Sequence, residues 1–234
     1  MRQEFTIWFT GLPSSGKSTL ARLVEAEIRA RGFRVMVLDG DEVRTWLTAG
    51  LGFSREDREE NMRRIAHLAM FQNRSGVATI TAAISPYQRA RDDARRVIER
   101  FVEVYVECPL SVCEERDVKG LYKKARRGEV LHFTGVSDPY EVPAAPEVVV
   151  RTDRESKEEC VARIMARVEE FGHLPRGHVQ YEAIVPASLL DDGLGDNGAA
   201  VLSALARRDA ARGPITAEQW EKFGERLRAL GYLR

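Results

Sequence analysis

One short stretch limits what this chain can fold into more than any other: Gly11-Leu12-Pro13-Ser14-Ser15-Gly16-Lys17-Ser18-Thr19. It matches G-x-x-x-x-G-K-[ST], the pattern of a phosphate-binding loop. An apolar run over residues 5–10 precedes it, and a helical pattern begins at Lys17. This strand–loop–helix order separates a phosphate-binding loop from an ordinary glycine-rich turn. We therefore predict an α/β fold that binds a nucleoside triphosphate.

Each residue type in the motif has a physical reason. Gly11 and Gly16 let the backbone curl so that successive N–H groups point at one anion. The N-terminus of the following helix adds its partial positive charge. Lys17 is placed to reach the β- and γ-phosphates as a catalytic residue, and the Ser18 hydroxyl is placed to bind Mg²⁺. The predicted nucleotide-binding residues of the loop are Gly11, Ser14, Ser15, Gly16, Lys17, Ser18 and Thr19.

Composition narrows the class of protein. The chain has 234 residues, with 36 Lys and Arg against 36 Asp and Glu. This balance argues against a general binder of nucleic acids or anionic membranes. The three cysteines form no C-x-x-C pair, and the four histidines have no metal-ligand spacing. No apolar run approaches the ~20 residues of a membrane span. With no signal-peptide layout at the N-terminus, these features predict a cytoplasmic protein that binds neither nucleic acid nor membrane.

Strand and helix patterns alternate along the chain. Strands are predicted over 5–10, 34–38, 77–84, 101–107 and 147–150. Helices are predicted over 17–31, 41–47, 54–73, a stretch after Pro86, 109–116 and 155–171. The helix over 54–73 is expected to begin at a capping box of Ser54 and Asp57, and to bury Met62, Ile65, Leu68, Ala69 and Phe71. The alternation is typical of a five-stranded parallel sheet with helices on both faces.

Two parts of the chain depart from this alternation. Residues 119–137 are basic and interrupted by glycines. They are expected either to form a solvated basic loop or, as their position after the fourth strand favours, a mobile lid over an anionic substrate. Gly, Pro and Asp are frequent over 172–198, and helical patterns follow over 199–211 and 217–229. We predict a phosphate-binding domain over 1–172 and a helical appendage over 173–234, which docks on this domain or on another subunit.

The phosphate loop alone does not choose among nucleotide-binding proteins. A switch GTPase needs a guanine-reading motif resembling N-K-x-D, and a motor ATPase usually has an apolar strand that ends in Asp-Glu; the sequence has neither. Instead, Asp39 and Asp41 directly follow the second predicted strand. Open α/β sheets bind ligands at this edge. The predicted class is therefore a small-molecule kinase.

Longer stretches resemble one family of such kinases. They are FTGLPSSGKSTLA, LDGDEVR, LGFSREDREENMRRIA, ISPYQRARDDAR and VYVECPLSVCEERDVKGLYKKARRGEVLHFTGVSDPYE, with a P-x-x-P-E run before the last strand. They span about residues 5–172 and resemble adenylylsulfate kinase (APS kinase). The block KGLYKKAR with FTG and DPYE is much more specific than the phosphate loop. The resemblance implies a P-loop kinase that uses Mg²⁺, ATP and adenosine 5′-phosphosulfate to make ADP and 3′-phosphoadenosine 5′-phosphosulfate.

The resemblance gives roles to residues near the reacting groups. Asp41 is implied either to accept the proton of the ribose 3′-hydroxyl or to order the Mg²⁺ shell, and the sequence does not separate these roles. Asp39 is the alternative carboxylate, and either residue would otherwise be a helix N-cap. Ser85, at the end of the third predicted strand, is a third candidate catalytic residue beside Lys17 and Asp41. Direct in-line transfer is nevertheless preferred to a phosphoenzyme, because the 3′-hydroxyl is already a nucleophile and no base lies near Ser85 in the sequence.

The resemblance also implies a set of substrate contacts. Arg44, Arg58 and Asn61 match positions that hold the phosphosulfate, although isolated residues of these types on helices are usually solvated. Phe53 and Phe133 match aromatics that enclose the adenine of the acceptor, although Phe53 by itself would be assigned to the core.

Further contacts are implied around these. Ile84 and Ser85 end the third strand, where main-chain groups meet the substrate. Lys119 and Lys124 are expected to contact phosphate from the lid, and Arg116 to lie over the ATP adenine. Cys113 and His132 are expected to be structural.

Departures from the family pattern keep other functions open. Gln88 stands where the family commonly has Arg, so one anion contact of the family is not expected here, although Arg89 and Arg91 are near in sequence. Residues 173–234 match nothing in the family. The alternatives are a small kinase acting on another nucleotide or sugar alcohol, and a catalytically silent homologue that serves as a binding or regulatory subunit. The resemblance further implies a homodimer and, because such kinases occur fused to ATP sulfurylase, association with that enzyme.

Overall fold

A parallel sheet of five strands runs through residues 4–175, which are the part of the chain that this computed structural model describes. The strands are β1 Thr6–Thr10, β2 Val35–Asp39, β3 Ala78–Ala82, β4 Phe101–Glu107 and β5 Val148–Arg151. Their order across the sheet is β2-β3-β1-β4-β5, and every pair is parallel. The predicted α/β architecture with a five-stranded parallel sheet is confirmed.

Seven helices connect and cover these strands in the described range: α1 Lys17–Ala30, α2 Gly40–Trp46, α3 Arg55–Arg74, α4 Gln88–Val97, α5 Leu110–Arg116, α6 Leu121–Arg126 and α7 Lys157–Glu170. Local sequence explains several boundaries. The Ser54 hydroxyl accepts a hydrogen bond from the Asp57 N–H and caps α3. Ser156 and Glu159 form a complete capping box at α7. Such caps satisfy N–H groups that the first helical turn leaves without partners.

The core has one layer on each face of the sheet. Strand β1 is buried along its whole length, as expected for a central strand of a parallel sheet with both faces covered. Ile7 and Phe9 pack with apolar residues of α1 and α7 on one face. Trp8 points to the other face, where it packs with residues of α3 and α4. This alternation follows from the two-residue period of a strand.

The topology brings the polar segments named above to one edge. In parallel strands the carboxyl ends lie at the same edge of the sheet, and open sheets of this type bind ligands there. The phosphate loop follows β1, Asp39 ends β2, and Ile84 and Ser85 follow β3. Because β3 lies between β1 and β2, these three segments become neighbours.

The structure adds a helix to the predicted lid segment, whose role as a lid stays a prediction, and it corrects the expectation for one residue of α3. Residues 119–137 contain a helix, α6, and a small apolar cluster in which Tyr122, Ala125 and Phe133 pack with Cys108 and Cys113. The sequence of this short helix shows no helical period of apolar residues, because the apolar residues that pack against it come from other parts of the chain. Phe71, expected in the core, has 59% of its surface exposed, because it lies on the outer face of α3, whereas Ala69 and Asn73 on the opposite face are buried against the sheet.

The predicted boundary after residue 172 falls close to the end of the described chain. Leu174 is buried in the same core layer as α1 and α7. The helical patterns over 199–211 and 217–229 lie outside the described residues, so the division into 1–172 and 173–234 stays a prediction. Within residues 4–175, no helix is both long enough and apolar enough to cross a membrane.

Candidate active site

A cleft of about 570 Å³ opens at the carboxyl edge of the sheet. It is lined by the phosphate loop, the start of α2, the start of α3, the end of β3 and the segment 117–134. Most of the predicted site residues line it, namely Ser14, Gly16, Lys17, Ser18, Thr19, Asp39, Asp41, Arg44, Phe53, Arg58, Asn61, Ile84, Ser85, Lys119 and Phe133. Sequence positions more than 100 residues apart therefore meet in one cavity of the size that holds small ligands.

The phosphate loop has the backbone geometry that its glycines predict. Gly11 has φ +150°, and a Cβ there would lie 2.6 Å from the Val106 carbonyl oxygen, so no other residue fits without a shift. Gly16 has φ +102° and Ser14 has φ +59°. These positive φ values close the loop around the start of α1.

Lys17 folds back onto its own loop. Its ammonium group donates hydrogen bonds to the carbonyl oxygens of Gly11, at 2.9 Å, and Leu12, at 2.7 Å. Burial lowers the pKa of Lys17 to about 8, because desolvation penalises the charged form more than the nearby carboxylates favour it. The ammonium group is therefore held against the phosphate loop by two uncharged carbonyl acceptors.

The two candidate carboxylates have different partners. Asp39 accepts a hydrogen bond from the Ser18 hydroxyl at 2.7 Å, and its second oxygen accepts the Asp41 N–H at 3.0 Å. Asp39 thus caps α2 and also contacts the phosphate-loop hydroxyl. Asp41 is largely exposed in the cleft and forms an ion pair with Lys119. The cap and the site contact are compatible in one residue because a carboxylate has two oxygens.

Two arginines and an aromatic ring form a compact group on the other side of the cleft. The Arg44 guanidinium lies 4.4 Å from the centre of the Phe53 ring and donates to the carbonyl oxygens of Leu51 and Gly52. Arg58 donates to the carbonyl oxygens of Phe53 and His132. Burial lowers the pKa of both arginines, and the charge of Arg58 adds to this effect at Arg44. Two partly desolvated cations at one site favour an anionic ligand.

Apolar and unpaired polar groups complete this side. Phe53 is 51% exposed, and Val118 and Leu131 are exposed even further, although all three line the cleft. Exposed apolar side chains around a cavity are typical of a ligand-binding groove. The Oδ1 atom of Asn61 is buried and has no hydrogen-bond partner among residues 4–175. Phe133 is 7% exposed and lies edge-on to Tyr122.

Ser85 lines the cleft but its hydroxyl is directed into the core. It accepts a hydrogen bond from the Trp8 indole N–H at 3.0 Å and lies 2.9 Å from the Met62 sulfur. The residue has φ +45°, an uncommon conformation for a serine. Its carbonyl oxygen accepts a hydrogen bond from the buried Arg91 guanidinium at 2.6 Å. This arrangement supports a structural role for the hydroxyl and offers none for it as a nucleophile.

The comparison with known families decides where this chain belongs. The profile of the family described as adenylylsulphate kinase matches residues 3–151. The chain belongs to the adenylylsulphate kinase family. An adenylyl-sulfate kinase from Rippkaea orientalis is 54% identical over 175 residues, which are 75% of this chain and 97% of that protein. The probable bifunctional SAT/APS kinase 2 of Sorangium cellulosum is 58% identical over 172 residues, which are 74% of this chain but 30% of that protein.

Solved structures agree with this placement in the family. The APS kinase of Mycobacterium tuberculosis in complex with AMPPNP and APS superimposes with a TM-score of 0.70 at 42% identity, covering 72% of this chain and 99% of that one. A hexameric APS kinase from Thiobacillus denitrificans superimposes with a TM-score of 0.57 at 35% identity and covers 74% of this chain and 30% of that one. The shared fold is therefore that of an adenylylsulphate kinase.

Four predicted site residues of this family member do not line the cleft: Gly11, Ser15, Arg116 and Lys124. Gly11 and Ser15 belong to the inner wall of the phosphate loop. Arg116 donates to the Thr152 carbonyl oxygen at 2.6 Å, and the Thr152 hydroxyl donates to the Ser15 carbonyl oxygen at 2.8 Å. Arg116 is thus connected to the back of the loop. Lys124 is exposed on α6, away from the cavity.

Gln88, which the resemblance sets apart from the family pattern, is outside the cleft as well. Its side chain accepts a hydrogen bond from Arg91 at 2.7 Å and donates to Asp92 at 2.7 Å. The glutamine therefore belongs to the network at the start of α4.

Sequence reasoning missed two residues that shape the site. Tyr122 lies within the block KGLYKKAR, whose pattern predicts no role for it. Arg91 is predicted only as a cation near Gln88 in the sequence. Arg91 is 1% exposed and lies 2.9 Å from Glu103, at an angle too bent for a hydrogen bond but within ion-pair distance. No local signal separates this buried arginine from the exposed arginines on the same helix, because only the fold brings Glu103 beneath it.

Proposed function

We propose that this protein transfers the γ-phosphoryl group of ATP to the ribose 3′-hydroxyl of adenosine 5′-phosphosulfate, giving ADP and 3′-phosphoadenosine 5′-phosphosulfate. The observation that carries this proposal is the single cleft in which a phosphate loop faces a second, anion-selective group built from Arg44, Phe53 and Arg58. A nucleotide with a flat base and a phosphosulfate matches that group in shape and charge. Membership in the adenylylsulphate kinase family supports this choice of acceptor.

The donor side acts by positioning and by charge. Backbone N–H groups of the loop bind the phosphates, and Lys17 exchanges its carbonyl partners for phosphate oxygens. Transfer of a phosphoryl group needs alignment and charge neutralisation more than covalent participation by the protein. The buried hydroxyl of Ser85 accordingly takes part in no chemical step, and the phosphoryl group passes directly from ATP to the acceptor.

The residues beside the phosphate loop fit Mg²⁺. The Ser18 hydroxyl and the Asp39 carboxylate lie 2.7 Å apart, and such hard oxygen groups are those that Mg²⁺ prefers. When bound with ATP, the ion neutralises phosphate charge. Ser18 is proposed to hold it directly and Asp39 to orient its bound water. Asp41, which the family resemblance offers as the alternative residue for ordering the Mg²⁺ shell, forms an ion pair with Lys119.

Asp41 is proposed to receive the proton of the attacking hydroxyl. As the 3′-oxygen forms its bond to the γ-phosphorus, the bridging P–O bond to ADP breaks and the hydroxyl proton passes to the carboxylate. The exposed position of Asp41 in the cleft leaves it accessible to the acceptor. Lys119 is then free to contact phosphate, which is the lid contact expected from the sequence.

A coupled assay for ADP release tests the proposed acceptor. The full chain with MgATP is offered adenosine 5′-phosphosulfate, AMP, gluconate or shikimate in parallel. Turnover with the first substrate alone is expected, and Asp41→Ala is expected to lower it by about 10²–10⁴-fold. Turnover with one of the other acceptors would assign a different small-molecule kinase. Binding of both nucleotides without any turnover would instead indicate a silent homologue.

We further propose that the protein is a cytoplasmic homodimer that can associate with ATP sulfurylase. Three cysteines, Cys108, Cys113 and Cys160, are buried and free, as is usual in a reducing compartment. The dimer follows from the family resemblance. The match to 30% of a relative named as a probable bifunctional SAT/APS kinase supports the association, because two activities are named there for one chain. Co-purification of the two proteins from mixed pure samples tests it, with Asp41→Ala as a control that changes only the cleft.

A further inference from the structure

Tyr122 lies between the two halves of the cleft and contacts both. Its hydroxyl donates a hydrogen bond to the Pro13 carbonyl oxygen of the phosphate loop at 3.0 Å. Its ring meets the Phe133 ring edge-on, with 4.9 Å between the ring centres and 79° between the planes. Pro13, Tyr122 and Phe133 all line the cleft. One side chain therefore joins the main chain that surrounds the ATP phosphates to an aromatic ring proposed to contact the acceptor adenine.

Packing leaves Tyr122 little freedom to move independently. The residue is 2% exposed. The Asp117 carboxylate accepts the N–H groups of Tyr122 at 2.9 Å and Lys123 at 3.1 Å, which fixes the first turn of α6. Burial also raises the pKa of the Tyr122 hydroxyl, so it stays protonated and able to donate. The side chain is therefore held between the phosphate loop and the first turn of α6.

The chain on either side of Phe133 is held in the same way. A Cβ at Gly135 would lie 2.9 Å from the Leu12 side chain, so the phosphate loop packs directly against this segment. The Arg58 guanidinium donates to the His132 carbonyl oxygen and to the Phe53 carbonyl oxygen. Phe133 is thus connected to the phosphate loop on one side and to the other proposed adenine contact on the other.

We propose that Tyr122 is a positioning residue that couples the two nucleotide sites, so that binding of one nucleotide strengthens binding of the other. This inference rests on the proposed function, because it takes ATP and adenosine 5′-phosphosulfate as the two ligands. Phosphates bound at the loop hold the Pro13 carbonyl oxygen in one position, and the hydrogen bond transmits that position to Tyr122 and Phe133. By linkage, the acceptor changes the affinity for the donor by the same factor as the reverse.

The test measures this factor directly on the full chain. The Kd of the non-hydrolysable analogue AMPPNP with Mg²⁺ is measured by calorimetry, without and with saturating adenosine 5′-phosphosulfate. The wild type is expected to bind AMPPNP more tightly when the acceptor is present. The coupling ratio is the Kd of AMPPNP without the acceptor divided by its Kd with the acceptor. In Tyr122→Phe, which keeps the ring and removes only the hydroxyl, this ratio is expected to fall by about three- to tenfold, which corresponds to the free energy of one hydrogen bond.

Two further variants separate coupling from a general loss of packing. Tyr105→Phe is the matched control, because the Tyr105 hydroxyl has no hydrogen-bond partner within residues 4–175 and the residue does not line the cleft; its ratio should equal that of the wild type. Phe133→Leu removes the other contact of Tyr122. If both contacts belong to one connection, the double variant Tyr122→Phe/Phe133→Leu loses no more coupling than Phe133→Leu alone.

The outcomes distinguish this inference from the proposed function. A wild-type ratio of one, or a Tyr122→Phe ratio equal to that of the wild type, overturns the coupling role while leaving the kinase activity in place. A wild type that neither binds nor turns over adenosine 5′-phosphosulfate overturns the proposed function and the inference together.

Discussion

At the residue scale, the proposed reaction requires two charged side chains to exchange partners. Lys17 is bonded to carbonyl oxygens, and Asp41 is paired with Lys119. In the proposed reaction, phosphate oxygens replace the partners of Lys17, and the attacking hydroxyl replaces Lys119 at Asp41. The consequences can be measured, because each exchange has its own dependence on pH or on Mg²⁺.

The affinity for ADP is expected to fall as the pH rises through about 8. Burial lowers the pKa of Lys17 to about 8, so above this pH the free enzyme must regain a proton before the lysine can pair with phosphate. Calorimetric Kd values between pH 7.5 and 9.5 measure the effect. Lys17→Arg, which stays charged throughout, should bind ADP with no such dependence. A Kd of the wild type that is constant over this range would contradict the prediction.

The same pKa shift affects stability with the opposite sign. The pKa of Lys17 in the folded protein lies below its ordinary value of 10.5. The unfolded chain therefore binds more protons between about pH 8 and 10.5, and the contribution of Lys17 to the free energy of unfolding rises over that interval.

Changing Asp39 or Asp41 to asparagine is expected to alter different kinetic parameters. Asp39→Asn loses the negative charge beside Ser18, so the Mg²⁺ concentration for half-maximal turnover should rise about 10–100-fold. Asp41→Asn should lower kcat and leave the Mg²⁺ requirement unchanged. Initial rates over a Mg²⁺ series measure both. A shifted Mg²⁺ curve in Asp41→Asn would instead give Asp41 the role of ordering the Mg²⁺ shell.

At the scale of elements, α4 holds the end of β3 in place through one buried cation. Arg91 contacts Glu103 on β4 and donates to the carbonyl oxygens of Ser85 and Glu141. The strained backbone of Ser85, with φ +45°, persists because these contacts hold it. The turn that lines the cleft after β3 is thus fixed by a helix that does not itself reach the cleft.

Arg91→Met is expected to lower the free energy of unfolding by about 2–4 kcal/mol. It removes one of the two cations beside the buried Glu103 carboxylate, leaving Arg95, and it removes the donor to the Ser85 and Glu141 carbonyl oxygens. Arg89→Met is the matched control on the same helix. Arg89 is 78% exposed, and its replacement should change stability by less than about 0.5 kcal/mol. Urea denaturation of the three proteins measures the difference, and equal midpoints for the two variants would refute the prediction.

At the scale of the whole molecule, the part of the candidate site that lies within residues 4–175 is lined by residues 13–134, with its supports extending to Thr152. All of the proposed catalytic and substrate-binding residues lie before the predicted appendage over 173–234. A chain ended after residue 175 is therefore expected to fold and to turn over adenosine 5′-phosphosulfate at a rate close to that of the full chain. Circular dichroism and the ADP-release assay check both expectations; a folded but inactive truncated chain would assign a catalytic role to the missing segment.

The predicted dimer is tested by mass. Light scattering at the concentration used for assays should give about twice the chain mass of 26.4 kDa. The chain ended after residue 175, measured in parallel, shows whether the predicted appendage contributes to assembly. A mass of one chain for the full-length protein would refute the dimer.

The sequence by itself determined the fold class, the phosphate loop and the family. These depend on information that is local in the chain: the period of apolar residues, the order of strand, loop and helix, and contiguous motifs such as KGLYKKAR. The cleft residues at strand ends could be named in advance, because the carboxyl ends of parallel strands must meet at one edge. Arg44, Phe53, Arg58, Asn61 and Phe133 were named instead from the resemblance to the family.

Only the tertiary structure decided which of these residues touch. Pro13 and Tyr122 are 109 positions apart, and Ser18 and Asp39 are 21 apart. The burial of Arg91, the exposure of Phe71 and the inward direction of the Ser85 hydroxyl likewise depend on what packs against each side chain. Hydrogen bonds and desolvation act over a few ångströms in space, so no pattern along the chain specifies them.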